Sequence, residues 1–98
     1  MKTEKGKFIF EGEVYVPKEA HVQNNDFKSG IRPNALTLDG LVASELLLEN
    51  ENCKISNKPV NARLEFFYPV KIEQGMKEID LYAGSKLLMR FNIFKYGI

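Results

Sequence analysis

One cysteine, Cys53, one histidine, His21, and no tryptophan mark what this chain of 98 residues does without. A lone cysteine cannot form an internal disulfide. A reactive thiol also needs a base and an electropositive surrounding, so Cys53 reads as a plain small side chain. One histidine with one cysteine falls short of the three or four ligands of a zinc site, and His21 reads as a solvated loop residue. No Ser/His/Asp or Cys/His arrangement stands out either. Apolar runs of about eighteen residues are absent, so no transmembrane helix is expected. The opening MKTEKGKF is polar and lacks the apolar core of a secretory signal, and no Asn-x-Ser/Thr acceptor occurs. The expected location is therefore the reducing cytoplasm.

Neither sign of charge dominates. Fourteen Lys and Arg face thirteen Asp and Glu, a net charge of +1, which argues against a bulk electrostatic nucleic-acid binder. With 44% hydrophobic and 28% charged residues, the composition is that of one globular domain rather than a disordered tail.

The motifs of phosphate chemistry are missing too. A GTP-binding loop ends in Gly-Lys-Ser/Thr, so that backbone N–H groups wrap the phosphates and a hydroxyl meets magnesium. The only Gly-Lys pair, Gly6-Lys7, runs into Phe8, and no glycine stands five residues before Gly6. Asn57-Lys58-Pro59-Val60 lacks the Asp of a guanine-reading Asn-Lys-x-Asp. Glu11 with Glu13, and Glu49 with Glu51, sit two apart, a spacing that exposed strand faces carry routinely. Neither catalysis nor a cofactor is expected.

What is present is strand after strand. Met1–Gly6 is a polar lead, and Lys7–Ile98 reads as one β-domain. Lys7–Val16 keeps Phe8, Phe10, Val14 and Val16 on one parity, with a bend expected at Gly12. Pro17–Gly30 is a polar surface excursion with one hydrophobic peg, Phe27. Ile31–Leu38 is extended, and Asp39-Gly40 marks a hairpin because both residues tolerate positive φ. Leu41–Glu49 has helix-favouring composition, yet its length and flanking turns favour a strand. Cys53–Ser56 is a short extended piece. Val60–Ile72 has the best alternation, with Ala62, Leu64, Phe66 and Tyr68 on one face and a bulge or edge expected at Pro69. Turns at Glu73-Gln74-Gly75 and Ala83-Gly84-Ser85 bracket Lys77–Tyr82. In Lys86–Phe94, Leu87, Met89, Phe91 and Ile93 share one face, and Leu88, Arg90, Asn92 and Phe94 the other. Six or seven short strands without a helix predict an antiparallel barrel or sandwich.

The order of these pieces resembles the last barrel domain of elongation factor Tu. Glu13-Val14-Tyr15-Val16, the loop Pro17–Ser29, Gly30-Ile31-Arg32-Pro33-Asn34 and Leu41-Val42-Ala43-Ser44 follow one another as in that domain. The stretch from Leu64 to Lys77, with Pro69-Val70 and Glu73-Gln74-Gly75-Met76-Lys77, is similar to its Val-Glu-Leu-x-x-Pro-Val-x-x-Glu-x-Gly-Leu-Arg. Ala83-Gly84-Ser85-Lys86-Leu87 looks like its Gly-Gly-Arg-Thr-Val. The resemblance covers roughly residues 8 to 94 and implies an all-β fold, a small closed antiparallel six- or seven-stranded Greek-key barrel.

Two departures bear on function. Where the family's last strand alternates small residues, this chain has Leu88-Met89-Arg90. The acidic residue and glycine before the family's final turn are Tyr82 and Ala83, and only Gly84 keeps its identity there. The family's tRNA contact is therefore not carried over. The expected function is a non-enzymatic binding module without GTPase activity, with Arg32, Lys77, Gly84, Lys86 and Arg90 as candidate binding residues. A protein is the expected partner. RNA is the second, through Arg63, Arg90, Lys77 and Lys86 with Tyr82 and Phe94. The simpler reading of those cations is solubility and protection of strand edges. DNA and membranes are not expected partners. One alternative is a subunit of a split or degenerate elongation factor completed by a separate GTP-binding chain. Another is an enzyme with a small-molecule pocket in the barrel mouth.

Overall fold

A computed structural model describes residues 9–20, 27, 29–51, 55–68, 70–71 and 75–97. The polar lead, His21, the Asn24–Asp26 cluster, Cys53, Pro69 and the Glu73-Gln74 half of its turn lie outside these residues. Six strands form: β1 Ile9–Tyr15, β2 Asn34–Thr37, β3 Gly40–Leu48, β4 Val60–Phe66, β5 Glu78–Ala83 and β6 Lys86–Gly97. All neighbours are antiparallel, and the order β1-β4-β3-β2-β5-β6 closes on itself as a barrel. Strands β2, β3 and β4 follow as hairpins while β1 returns beside β4, which is Greek-key connectivity. The fold class expected from the sequence is the one observed. No helix among the described residues is long and apolar enough to cross a membrane.

Alternation decides the interior. Phe10 and Val14 of β1, Ala35 of β2, Leu46 of β3, Leu64 and Phe66 of β4, Ile79 and Leu81 of β5, and Met89 and Phe91 of β6 are fully buried. The segment expected as a strand at Leu41–Glu49 is one, β3, which runs from Gly40 and ends at Leu48, with Ser44, Leu46 and Leu48 turned inward. Ser44 is tolerated there because its hydroxyl donates to the Pro33 carbonyl at 2.7 Å. Phe10 and Phe66 meet edge to face in the centre, with centroids 5.7 Å apart. Following paired residues from Ile9 through Glu65 and Glu45, and on round β2, β5 and β6, returns to β1 about ten residues further along, so the strands are steeply tilted. A barrel of so few strands encloses only enough room for its own side chains.

Loops stopper the ends. The peg Phe27 packs against the core and bridges to Ile55, which is itself fully buried. Ser56 accepts from the Val16 amide at 2.7 Å, tying that segment to the exit of β1. Elsewhere, Val70 is buried, and Lys71 meets the β2–β3 turn through Leu38 N to Lys71 O at 3.0 Å and Lys71 N to Asp39 Oδ2 at 3.0 Å.

Strand β6 departs most from simple alternation. Glu11 pairs with Lys95 but Gly12 with Ile93, and Leu81 pairs with Met89 but Tyr82 with Leu87. Phe94 and Leu88 are thus extra residues in two bulges. The second corrects the expected outer placement of Leu88. The bulge resets parity, and Leu88 is buried beside Met89. The first explains Gly12, whose inserted Cβ would fall on the Asn92 carbonyl oxygen.

Two further expectations need correction. Strand β4 stops at Phe66, opposite Ser44, and Tyr68 is 73% exposed instead of joining the inward set. The nearby Pro69 has no N–H to extend a ladder. The first hairpin turns at Leu38-Asp39, and of the expected Asp39-Gly40 pair only Gly40 takes positive φ, at 90°. Asp39 is held there by its amide donating to Thr37 Oγ1 at 3.0 Å.

Replacing Gly12 with alanine is expected to destabilise the fold by about 3 kcal/mol, because the obstructing atom is backbone and β1 must shift from β6. Urea denaturation of the variant beside the parent measures this. An unchanged midpoint would refute the close approach.

Candidate interaction surface

The five residues expected to bind do not come together. Arg32 precedes β2, and its guanidinium carbon lies 5.5 Å from the Phe67 ring centroid, a cation–π contact that half-covers that ring. Continuing the β2–β5 register past Asn34 and Tyr82 brings Arg32 alongside Gly84. Gly84 opens the β5–β6 turn with φ 62°, and the following Ser85 keeps negative φ, the sign pattern of a type II′ turn. Lys86 begins β6, exposed, opposite Ala83. Lys77 lies at the far end of the same hairpin, its carbonyl accepting from the Ile93 amide at 2.8 Å. The length of β5, about 20 Å, separates it from Lys86.

Arg90 is already engaged. It faces outward in β6 between Tyr15 of β1 and Asp80 of β5. Its Nε donates to Asp80 Oδ1 at 2.7 Å, and its Nη1 reaches Glu19 Oε2 at 3.4 Å. The side chain is only 17% exposed. The hydrogen bond to Asp80, with a further one to Tyr15, raises the guanidinium above its ordinary pKa against the opposing effect of burial. Glu19 is held below the usual carboxylate range by a hydrogen bond from its own backbone and then by the Arg90 charge. Three strands and the segment leaving β1 thus share one cation.

Other charges are similarly spent. Arg63 Nε meets Glu65 Oε2 at 2.9 Å, and Asn61 Nδ2 donates to Glu49 Oε1 at 2.9 Å. No buried side-chain polar atom among the described residues lacks a partner. No group of three His, Cys, Asp or Glu among them is placed to hold a metal ion. Of the expected basic–aromatic set, Arg63 and Phe94 share one open groove of about 610 Å³, with Glu11, Leu47 and Lys95. It forms where the Phe94 bulge crosses Gly12, and that glycine was its only signal in the sequence.

A second surface went unseen for a more instructive reason. Hydropathy alone turns Leu36 and Leu38 inward and leaves Ala35 and Thr37 outside. The structure does the reverse. Ala35 and Thr37 are buried, Leu36 is 42% exposed and Leu38 63%. Leu41, directly opposite Leu36, is 48% exposed. Thr37 is accommodated because its hydroxyl donates to the Gly40 carbonyl at 3.0 Å and accepts from the Asp39 amide. The signal was available in Ala-Leu-Thr-Leu, as two leucines on the parity opposite to Ala35.

Compared with known proteins, the chain matches no protein-family model and no curated protein.

Replacing Arg90 with methionine should cost about 2 kcal/mol of stability, since Asp80 keeps its charge and loses its donor. Lysine should recover only part, because one ammonium cannot reproduce the fork to Asp80 and Glu19. Thermal unfolding of the three proteins tests the ranking. The depressed Glu19 carboxyl adds stability that is present above its unfolded pKa and disappears as pH falls through the folded value. Below about pH 4.5 the gap between parent and R90M should therefore narrow. Parallel acid profiles would contradict this linkage.

Proposed function

We propose that this chain is a non-enzymatic protein-binding module of the elongation factor Tu C-terminal barrel type, with no GTPase activity of its own. The observation that carries the reading is the inverted face of β2. A one-residue slip of register would bury Leu36 and Leu38 in place of Ala35 and Thr37. Burying the 42% of Leu36 and 63% of Leu38 that remain exposed would gain about 1 kcal/mol each. A fold that leaves both outside, beside Leu41, offers them to a partner. The filled interior supports the same reading against a pocket in the barrel mouth. The engaged state of Arg63 and Arg90, and the separation of Lys77 from Lys86, favour a protein over RNA. The shared motif order supports the lineage.

Affinity capture from native lysate with the intact chain tests the proposal. The expected result is a reproducible protein partner, retained after nuclease treatment and lost with the L36K/L38K variant. Capture that yields no partner, or one that nuclease removes, would sink it.

A further inference from the structure

We infer that the groove where the Phe94 bulge crosses Gly12 binds a short neutral saccharide. It runs over the outer wall across β3, β4, β1 and β6, apart from the exposed leucines of the β2–β3 hairpin. The site is therefore independent of the protein-binding reading. Its volume of about 610 Å³ lies inside the range of roughly 300–1,000 Å³ typical of small-molecule sites.

The bulge supplies an aromatic wall. An extra residue in a strand re-aims the side chains around it, and here Phe94 and Lys95 are exposed in succession, Phe94 by 65%. Across the groove, planar polar groups are fixed before any ligand arrives. Asn61 Nδ2 donates to Glu49 Oε1 at 2.9 Å, and the Glu49 amide donates to the Asn61 carbonyl at 3.1 Å. That double tie orients the Asn61 amide and leaves its Oδ1, with Glu49 Oε2, as acceptors. Arg63 is held in the same manner, its Nε against Glu65 Oε2 at 2.9 Å, with both Nη groups left as donors. Charge then narrows the ligand class. Register places Glu11 between Arg63 and Lys95, and with Glu49 the lining carries two carboxylates and two cations. An anion would meet both carboxylates at close range, and a cation both basic groups.

A pyranose ring suits this lining. Its axial C–H bonds form an apolar face that packs on an aromatic ring. Its hydroxyls each donate and accept, so neighbouring pairs of them match amide, carboxylate and guanidinium edges. An apolar ligand would leave those edges unpaired. A protein partner would find few apolar anchors among charges that interface cores deplete.

The probe is an array of neutral glycans printed beside sulfated and phosphorylated ones and read with the intact chain. Neutral glycans should be retained, and titration with the strongest should shift the amide resonances of Glu11, Asn61, Phe94 and Lys95. F94A should weaken binding at least about tenfold, and F94Y should restore most of it. N61A should also weaken binding. Both positions are exposed, so circular dichroism and the thermal midpoint should stay near those of the parent. L36K/L38K should bind glycan as the parent does. Retention of no neutral glycan would overturn the inference and leave the protein-binding reading standing. Preference for the charged glycans, binding that F94A leaves intact, or loss of binding in L36K/L38K would overturn it as well.

Discussion

Closing a sheet of six strands around one layer of side chains is the constraint from which the rest follows. A narrow, steeply staggered barrel leaves little freedom in where each strand sits along its neighbour. Strand β6 absorbs the mismatch. It is the longest strand, and it takes an extra residue at Leu88 against β5 and another at Phe94 against β1. Gly12 lets β1 lie against the second irregularity, and the buried leucine of the first becomes core. The same closure determines that β2, only four residues long, enters with Ala35 and Thr37 inward.

Local alternation carries most of the fold in plain view. Phe10 with Val14, Leu46 with Leu48, and Ala62, Leu64 and Phe66 all lie where a period of two puts them. The hairpins were marked by Gly40 and Gly84, and the peg by an isolated Phe27 in a polar loop. What local pattern cannot carry is register against a distant strand. Leu88 turns inward because of what Leu81 and Tyr82 pair with. Tyr68 turns outward because β4 ends at Phe66, opposite Ser44, although β3 continues to Gly40.

The candidate site was less legible, for the same reason. Arg90 read as a free cation because Asp80 stands ten residues away in sequence and Glu19 seventy-one. Only pairing of β5 with β6, and folding back of the segment after β1, joins them. Lys77 and Lys86 are close in sequence yet lie at opposite ends of one hairpin. Exposed leucines are easily taken for core when their strand is read alone, and that hid the outward apolar face of the β2–β3 hairpin, though not the hairpin itself.

Lys71 and Asp39 have a consequence beyond shape. Thr37, Asp39 and Gly40 are joined through the Thr37 hydroxyl, and Lys71 bonds the turn on both sides, its amide to the Asp39 carboxylate and its carbonyl to the Leu38 amide. A projecting tip fastened in this way has surrendered its backbone freedom during folding, before any encounter takes place. Whatever settles against it meets a surface already in its final form, so the entropy lost on association falls mainly on the visitor.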